Sequence, residues 1–110
     1  MDNVDKETKS KISRLQILEQ RINSFILQKQ TFQTQLLETE NALGEIENSS
    51  ETYKIVGNIM VSTEKNDLKN ELTSKKDVLK LKVKNIEKEE NKMREEANVL
   101  QKEVLSKIGK

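Results

Sequence analysis

The sequence has no cysteine, no histidine and no proline, and only three glycines among its 110 residues. A chain without cysteine or histidine forms no disulfide and has no thiol or imidazole catalyst and no zinc finger. Proline and glycine are also the residues that most often interrupt helices, and here they are absent or rare. These absences exclude several classes of functional site and favour long, uninterrupted helices.

Aromatic residues make up 3% of the chain and hydrophobic residues 33%, whereas 35% of the residues are charged. This composition is too poor in apolar side chains for an ordinary globular core. The net charge is +1, so no overall field attracts nucleic acid or a membrane surface. No apolar run is long enough to span a membrane, and the N-terminal segment MDNVDKETKS has no hydrophobic signal core. We therefore expect a cytoplasmic protein.

Apolar residues recur at alternating steps of three and four residues in both halves of the chain, a pattern that predicts helices paired along a heptad seam. The first seam is Leu15, Leu18, Ile22, Phe25, Lys29, Phe32, Leu36, Thr39, Leu43 and Ile46. The second seam is Leu72, Lys76, Leu79, Val83, Ile86, Glu90, Met93, Ala97, Leu100, Val104 and Lys107. Both seams become polar or irregular toward the chain termini, where we expect the helix pair to fray.

Four polar residues lie within the seams, Lys29, Thr39, Lys76 and Glu90. Polar seam residues can fix the register of a coiled coil. An antiparallel pairing of the two seams brings Lys29 and Glu90 about one helical turn apart. An ion pair between them is one interpretation, but we expect instead that both side chains extend along their aliphatic stems to solvent.

The segment TYKIVGNIMVS, residues 52–62, separates the two heptad series. Two short apolar runs around Gly57 and Asn58 predict a β-hairpin. Glycine in the first central position suits a type II′ turn, which requires a positive φ there. Ser62 or Thr63 is the expected N-cap of the helix that follows.

This turn pairs Val56 with Ile59 and Ile55 with Met60, which makes both faces of the hairpin largely apolar. An isolated two-stranded hairpin is marginally stable in water. Its unpaired edges also invite further strand pairing. We therefore expect hairpins from several chains to join into a larger sheet or barrel.

These patterns predict one domain over residues 1–110 that is mainly α. The first helix covers about residues 5–47, the hairpin about 52–62 and the second helix about 64–108. The helices form a long antiparallel coiled coil, with the β-hairpin at the connection between them.

The order of these segments resembles the archaeal prefoldin β subunits over nearly the whole chain: a long heptad helix, then YKIVGNIMV, then a charged helix start, EKNDLKNEL. A single hairpin segment fits the β type rather than the longer α type, which carries two. The resemblance implies a hexamer of two α and four β subunits, whose hairpins form a double β-barrel platform. It implies that the coiled-coil tips hold unfolded proteins without ATP or another cofactor and deliver them to a group II chaperonin.

Two sets of site residues follow. The client-binding tip, where fraying should leave apolar side chains partly exposed, is Val4, Ile12, Leu15, Leu100, Val104, Leu105 and Ile108. The subunit-assembly hairpin is Tyr53, Ile55, Val56, Gly57, Asn58, Ile59, Met60 and Val61. No catalytic or metal-binding residue is predicted, so we do not expect an enzyme.

Two other functions share the features of the helices. The main alternative is a structural or tethering coiled coil with one dedicated partner, which would not protect unrelated unfolded proteins. A second is a nucleic-acid-binding helix, for which the local basic run is Lys75, Lys76, Lys80, Lys82 and Lys84. This run winds around the helix without interleaved aromatic residues, so we interpret it as a solvated face and expect no nucleic-acid partner.

Overall fold

The computed structural model of the chain describes residues 5–108. Helix α1 covers Lys6–Glu47, strand β1 Thr52–Val56, strand β2 Ile59–Thr63 and helix α2 Lys65–Ile108. The predicted fold class, two long helices with a two-stranded antiparallel hairpin between them, is confirmed. None of the helices within residues 5–108 is long and apolar enough to cross a membrane. The assignment of residues 1–110 to one domain stays a prediction.

Helix α1 begins with a side-chain cap and ends in a polar segment. The backbone N–H of Thr8 donates to Oδ1 of Asp5 at 2.7 Å, which satisfies one of the free N–H groups of the first turn. At the other end, the N–H of Ser49 donates to the carbonyl of Ile46 at 3.1 Å, and its hydroxyl donates to the carbonyl of Glu45 at 2.9 Å. Side-chain and tight-turn bonds thus replace the helical bonds after Glu47.

The hairpin has the predicted register, with Val56 opposite Ile59 and Ile55 opposite Met60. Gly57 has a φ of +62°, and among residues 5–108 no residue other than glycine has a positive φ. This combination matches the predicted type II′ turn, because a type I′ turn would also require a positive φ at the next residue. The predicted turn chemistry is therefore confirmed.

The predicted N-cap of α2 is wrong. Ser62 and Thr63 belong to β2, and Glu64 precedes the first helical residue. The strand extends this far because Thr63 pairs with Thr52, whose hydroxyl donates to the carbonyl of Thr63 at 2.7 Å. The carbonyl of Glu64 then accepts the first helical bond from the N–H of Leu68 at 3.0 Å. For Thr63, a β-branched residue, pairing in the strand ladder has outweighed the preference for an N-cap position.

The chain divides into two compact units. The first unit contains residues 1–29 and 85–110, of which 5–29 and 85–108 are described, and the second contains residues 30–84. In the first unit α1 and α2 run antiparallel, since Lys11 pairs with Glu103 and Lys29 with Glu90. Its buried side chains are Thr8, Leu18, Ile22, Ile86, Glu90 and Val104.

The second unit contains the hairpin and the helix segments next to it. Lys69 of α2 forms an ion pair with Glu47 of α1, and the ammonium of Lys82 lies 5.2 Å from the centre of the Phe32 ring. These two pairs also require an antiparallel arrangement. The buried side chains of this unit are Thr39, Ile46, Thr52, Leu68 and Leu79.

The heptad seams account for the burial within each unit. Every predicted seam residue is buried or half-buried except Lys107, which is exposed. The α1 seam continues back through half-buried Lys11 to buried Thr8, and the α2 seam back through buried Leu68 to half-buried Lys65. A narrow apolar stripe, rather than a broad core, holds each helix pair together.

Candidate functional site

The hairpin presents six large apolar side chains to solvent. They are between 42% and 72% exposed and comprise Tyr53, Ile55, Val56, Ile59, Met60 and Val61. Cross-strand pairing places Ile55 and Met60 on one face and Val56 and Ile59 on the other. The helices of the second unit therefore cover neither apolar face.

Polar contacts anchor the base and sides of the hairpin. Thr52 is buried, the Tyr53 hydroxyl donates to Oε2 of Glu51 at 2.9 Å, and Nζ of Lys54 lies 3.3 Å from Oε2 of Glu71. Among the described residues the sheet has only two strands, so the outer edge of each strand has no strand partner. A fixed hairpin with two free edges and two apolar faces is suited to pairing with strands of other chains.

The predicted tip residues that the structure describes differ in exposure. Leu105 and Ile108 are 60% and 52% exposed. Ile12, Leu15 and Leu100 are half-buried. Val4 lies outside the described residues.

The prediction that the tip residues are partly exposed is wrong for Val104, which is only 8% exposed. Val104 occupies a seam position that faces α1, whereas Leu105 is turned away from the seam by one residue. The seam therefore stays closed one turn before the end of α2. The solvent-exposed apolar surface in this part of α2 belongs to Leu105 and Ile108, which lie off the seam.

Ion pairs join α1 to α2 along this closed seam. Nζ of Lys11 lies 2.8 Å from Oε2 of Glu103, and Nε of Arg14 donates to Oε2 of Glu96 at 2.7 Å. The hydrogen bond to Glu103 raises the pKa of Lys11 above its ordinary value, and the bond from Arg14 lowers the pKa of Glu96. These pairs are partly exposed, so each adds only modest stability.

An open groove of about 430 Å³ borders the seam in the same unit. It forms beside Ala97, whose small side chain fills less of its seam position than a leucine would. The residues that line it are Glu19, Ile22, Asn23, Ile26, Arg94, Ala97 and Asn98.

The sequence-based expectation for Lys29 and Glu90 is wrong, because they form an ion pair instead of extending separately to solvent. Nζ of Lys29 donates to Oε1 of Glu90 at 3.0 Å, and Nε of Arg94 donates to Oε2 of Glu90 at 2.8 Å. Glu90 is buried, with 7% of its surface exposed. The signal in the sequence was the opposite charge of two seam residues one turn apart, together with an arginine four residues after Glu90.

The hydrogen bonds from Lys29 and Arg94 hold the pKa of Glu90 below its ordinary value, in spite of burial, which acts in the opposite direction. Similar donors lower the pKa of three further acids. These are Asp5, which accepts hydrogen bonds from Thr8, Glu47, which accepts from Lys69, and Glu96, which accepts from Arg14.

We expect the melting temperature of the protein to fall as the pH is lowered below about 4. Each of these acids has a lower pKa in the folded chain than in the unfolded chain. Its contribution to stability is therefore complete above the unfolded-state pKa and is lost as the pH falls through the folded-state pKa. Circular dichroism melts from pH 7 to pH 3 measure this dependence. In the variant Glu96→Gln, which lacks one of these acids, we expect the melting temperature to fall less over the same pH range. A melting temperature that stays constant down to pH 3 would contradict it.

Metal-ligating side chains do not form a cluster in the described part of the chain. Within residues 5–108 no group of three or more Asp, Glu, His or Cys side chains is placed to hold a metal ion. In the basic run, Lys82 stacks on Phe32, Lys76 is half-buried at a seam position, and Lys75, Lys80 and Lys84 are exposed. The exposed apolar surfaces are thus the strongest candidate sites, and both are suited to protein partners.

Comparison with known proteins supports the same conclusion. The family model described as "Prefoldin subunit" matches residues 9–110. The prefoldin subunit beta of Archaeoglobus fulgidus is 33% identical over 98 residues, covering 86% of this chain and 84% of the relative. The prefoldin subunit beta of Sulfurisphaera tokodaii is 30% identical over 112 residues, covering 99% of this chain and 90% of the relative.

The fold agrees over almost the same length. The crystal structure of the prefoldin beta subunit from Thermococcus strain KS-1 superimposes with a TM-score of 0.87 and 29% identity, covering 96% of both chains. The chain therefore belongs to the prefoldin subunit family of chaperones, and within that family it is similar to the archaeal β subunits.

Proposed function

We propose that this chain is one subunit of an ATP-independent holdase that captures unfolded polypeptides and delivers them to a group II chaperonin. Prefoldin is a family of chaperones and not of enzymes, and we infer that the chain acts in the cytoplasm. The observation that carries the proposal is the exposure of Leu105 and Ile108, at 60% and 52%, near the end of α2.

Exposed apolar side chains bind unfolded chains without requiring a particular sequence. Burial of apolar surface contributes about 25 cal/mol per Å² and has no directional requirement. Leu105 and Ile108 supply such surface, and half-buried Ile12, Leu15 and Leu100 would add to it as the helix ends separate. One such site is weak, but several sites in one assembly raise the effective affinity for a long unfolded chain.

The hairpin would supply the assembly that capture requires. We place this chain among the four β subunits of a hexamer with two α-type subunits, joined through a double β-barrel of hairpins. The support for this is the pair of free strand edges and the six exposed apolar side chains of the hairpin. Closing such hairpins into a barrel removes both the edges and the exposed apolar faces.

The double variant Leu105→Ser/Ile108→Ser tests the capture surface. In the assembled complex, we expect at least a several-fold loss in the suppression of client aggregation, because the most exposed apolar area near the end of α2 is removed. Light scattering of a chemically unfolded client diluted into the complex measures this loss. Circular dichroism should be unchanged, since neither side chain is buried.

Val99→Ser is the matched control, because Val99 is also an exposed apolar residue of α2, at 56%, but is not a predicted tip residue. We expect it to keep wild-type holding. Equal holding by the tip variant and the wild type would contradict the assigned surface. Deletion of residues 1–10 and 104–110 gives a second test, which includes Val4, and intact holding after that deletion would contradict the tip assignment as a whole.

A further inference from the structure

A lysine of the α1 seam, Lys29, and an acid of the α2 seam, Glu90, lie at adjacent levels of the first unit. Within residues 5–108, the α1 seam contains lysines but no acid, and Glu90 is the one acidic residue of the α2 seam. Nζ of Lys29 reaches Oε1 of Glu90 at 3.0 Å, across the helix interface. Lys29 therefore has its partner on the other helix, and not on its own.

Both oxygens of Glu90 are engaged, one by Lys29 and the other by Arg94. The side chain of Glu90 is 9% exposed and that of Lys29 24%, whereas Arg94 is 49% exposed and can reach water. Removal of Glu90 would leave Lys29 without its carboxylate at the interface, and removal of Lys29 would leave the buried Glu90 with Arg94 as its one remaining partner of the two. Such a loss is strongly destabilising, whereas replacement of both charges by apolar residues is often neutral or stabilising. The pair is therefore better suited to specifying the helix partner than to maximising stability.

We propose that the Lys29–Glu90 pair selects α2 as the partner of α1 and excludes pairing of α1 with α1 of a second copy. This is a specificity role, independent of client capture. It follows from the seam charges, because an apolar heptad seam alone does not distinguish one helix of this kind from another.

Pairings of α1 with α1 of a second copy fail on charge. Two parallel α1 helices in register bring Lys29 against its own copy, and two parallel α2 helices bring Glu90 against its own copy. An antiparallel α1 pair brings Lys29 against a seam that contains no acid among its described residues. Like charges or an unpaired charge in a half-buried seam disfavour each of these pairings. The α1–α2 pairing is the arrangement in which Lys29 meets a carboxylate.

Charge reversal tests the pairing energetically. We expect Lys29→Glu and Glu90→Lys each to lower the melting temperature by at least about 10 °C. The double variant Lys29→Glu/Glu90→Lys should recover more than half of that loss, because the pair is restored with its sign reversed. Recovery should be incomplete, because Arg94 then lies beside a lysine. No recovery in the double variant would contradict a direct pairing role.

Apolar replacement tests the selectivity itself. We expect Lys29→Leu/Glu90→Leu to keep or raise the melting temperature but to lose discrimination between partners. A single cysteine in place of Gln28, which lies near the midpoint of α1, reports contact between α1 helices of two chains. The natural chain has no cysteine, so any bismaleimide crosslink joins two chains.

The crosslinked fraction of Gln28→Cys in the leucine background should exceed that in the natural background by at least about five-fold. Hairpin association is the same in both backgrounds and cancels in the comparison. An equal crosslinked fraction in the two folded proteins would overturn the proposal. This result would not depend on client binding, so it can fail while the holdase function stands.

Discussion

Replacement of Leu18 by alanine is expected to lower the free energy of unfolding by about 2–5 kcal/mol. Leu18 has no exposed surface and is the one fully buried large side chain within residues 5–108. The seam is narrow, so neighbouring side chains have little freedom to move into the space that the leucine vacates. Urea denaturation followed by circular dichroism measures this loss.

Ile17→Ala is the matched control for Leu18. Ile17 precedes Leu18 on the same helix but is 43% exposed, because one residue along a helix turns the side chain by about 100°. We expect a loss below about 1 kcal/mol for this exposed position. Similar losses for the two variants would mean that the seam does not carry the stability of the first unit.

The largest effect on assembly is expected from aspartates in the hairpin. The double variant Ile55→Asp/Ile59→Asp places one charge on each apolar face. If hairpins bury these faces against one another, the affinity for the α-type partner should fall at least about 100-fold, since each buried unpaired carboxylate is costly. Sedimentation velocity over a range of concentrations measures the change, and circular dichroism should show the helices intact.

Leu37→Asp is the control for the hairpin variant, because Leu37 is a 60% exposed apolar residue in the same unit but lies on α1. We expect this variant to assemble as the wild type does. Normal assembly of the hairpin variant would rule out the hairpin as the subunit interface.

The sequence predicted the helices, the seams and the hairpin because each depends on a local pattern. Alternating steps of three and four residues place apolar side chains on one face of a helix, whatever lies around them. Gly57 followed by a polar residue between two apolar runs determines both the turn type and the pairing of Val56 with Ile59. These features are fixed by neighbours in the chain.

The errors arose where contacts across the fold decide the outcome. Thr63 is suited both to a helix cap and to a strand, and its pairing with Thr52 favoured the strand. Whether Lys29 reaches solvent or Glu90 depends on the axial register of α1 against α2. The heptad pattern predicts that register only to within about one helical turn. The burial of Val104 likewise depends on how far the helix pair remains closed.

The candidate surfaces differ in how well the sequence specifies them. Because alternation along a strand exposes two apolar faces, the hairpin surface was recognisable from residues 52–62. The prediction of the client-binding tip depended on a weaker argument, namely that paired helices fray near the chain ends. Among the predicted tip residues that the structure describes, Leu105 and Ile108 are the two that are more than half exposed.

The most direct test of the central claim is the light scattering of two unrelated unfolded proteins diluted into the complex of this chain with an α-type prefoldin subunit, without nucleotide. We predict suppressed scattering for both clients at about one complex per client. Scattering equal to that of the buffer control, with the complex shown to be intact, would contradict the holdase function. The chain would then be better explained as a coiled coil with a single dedicated partner.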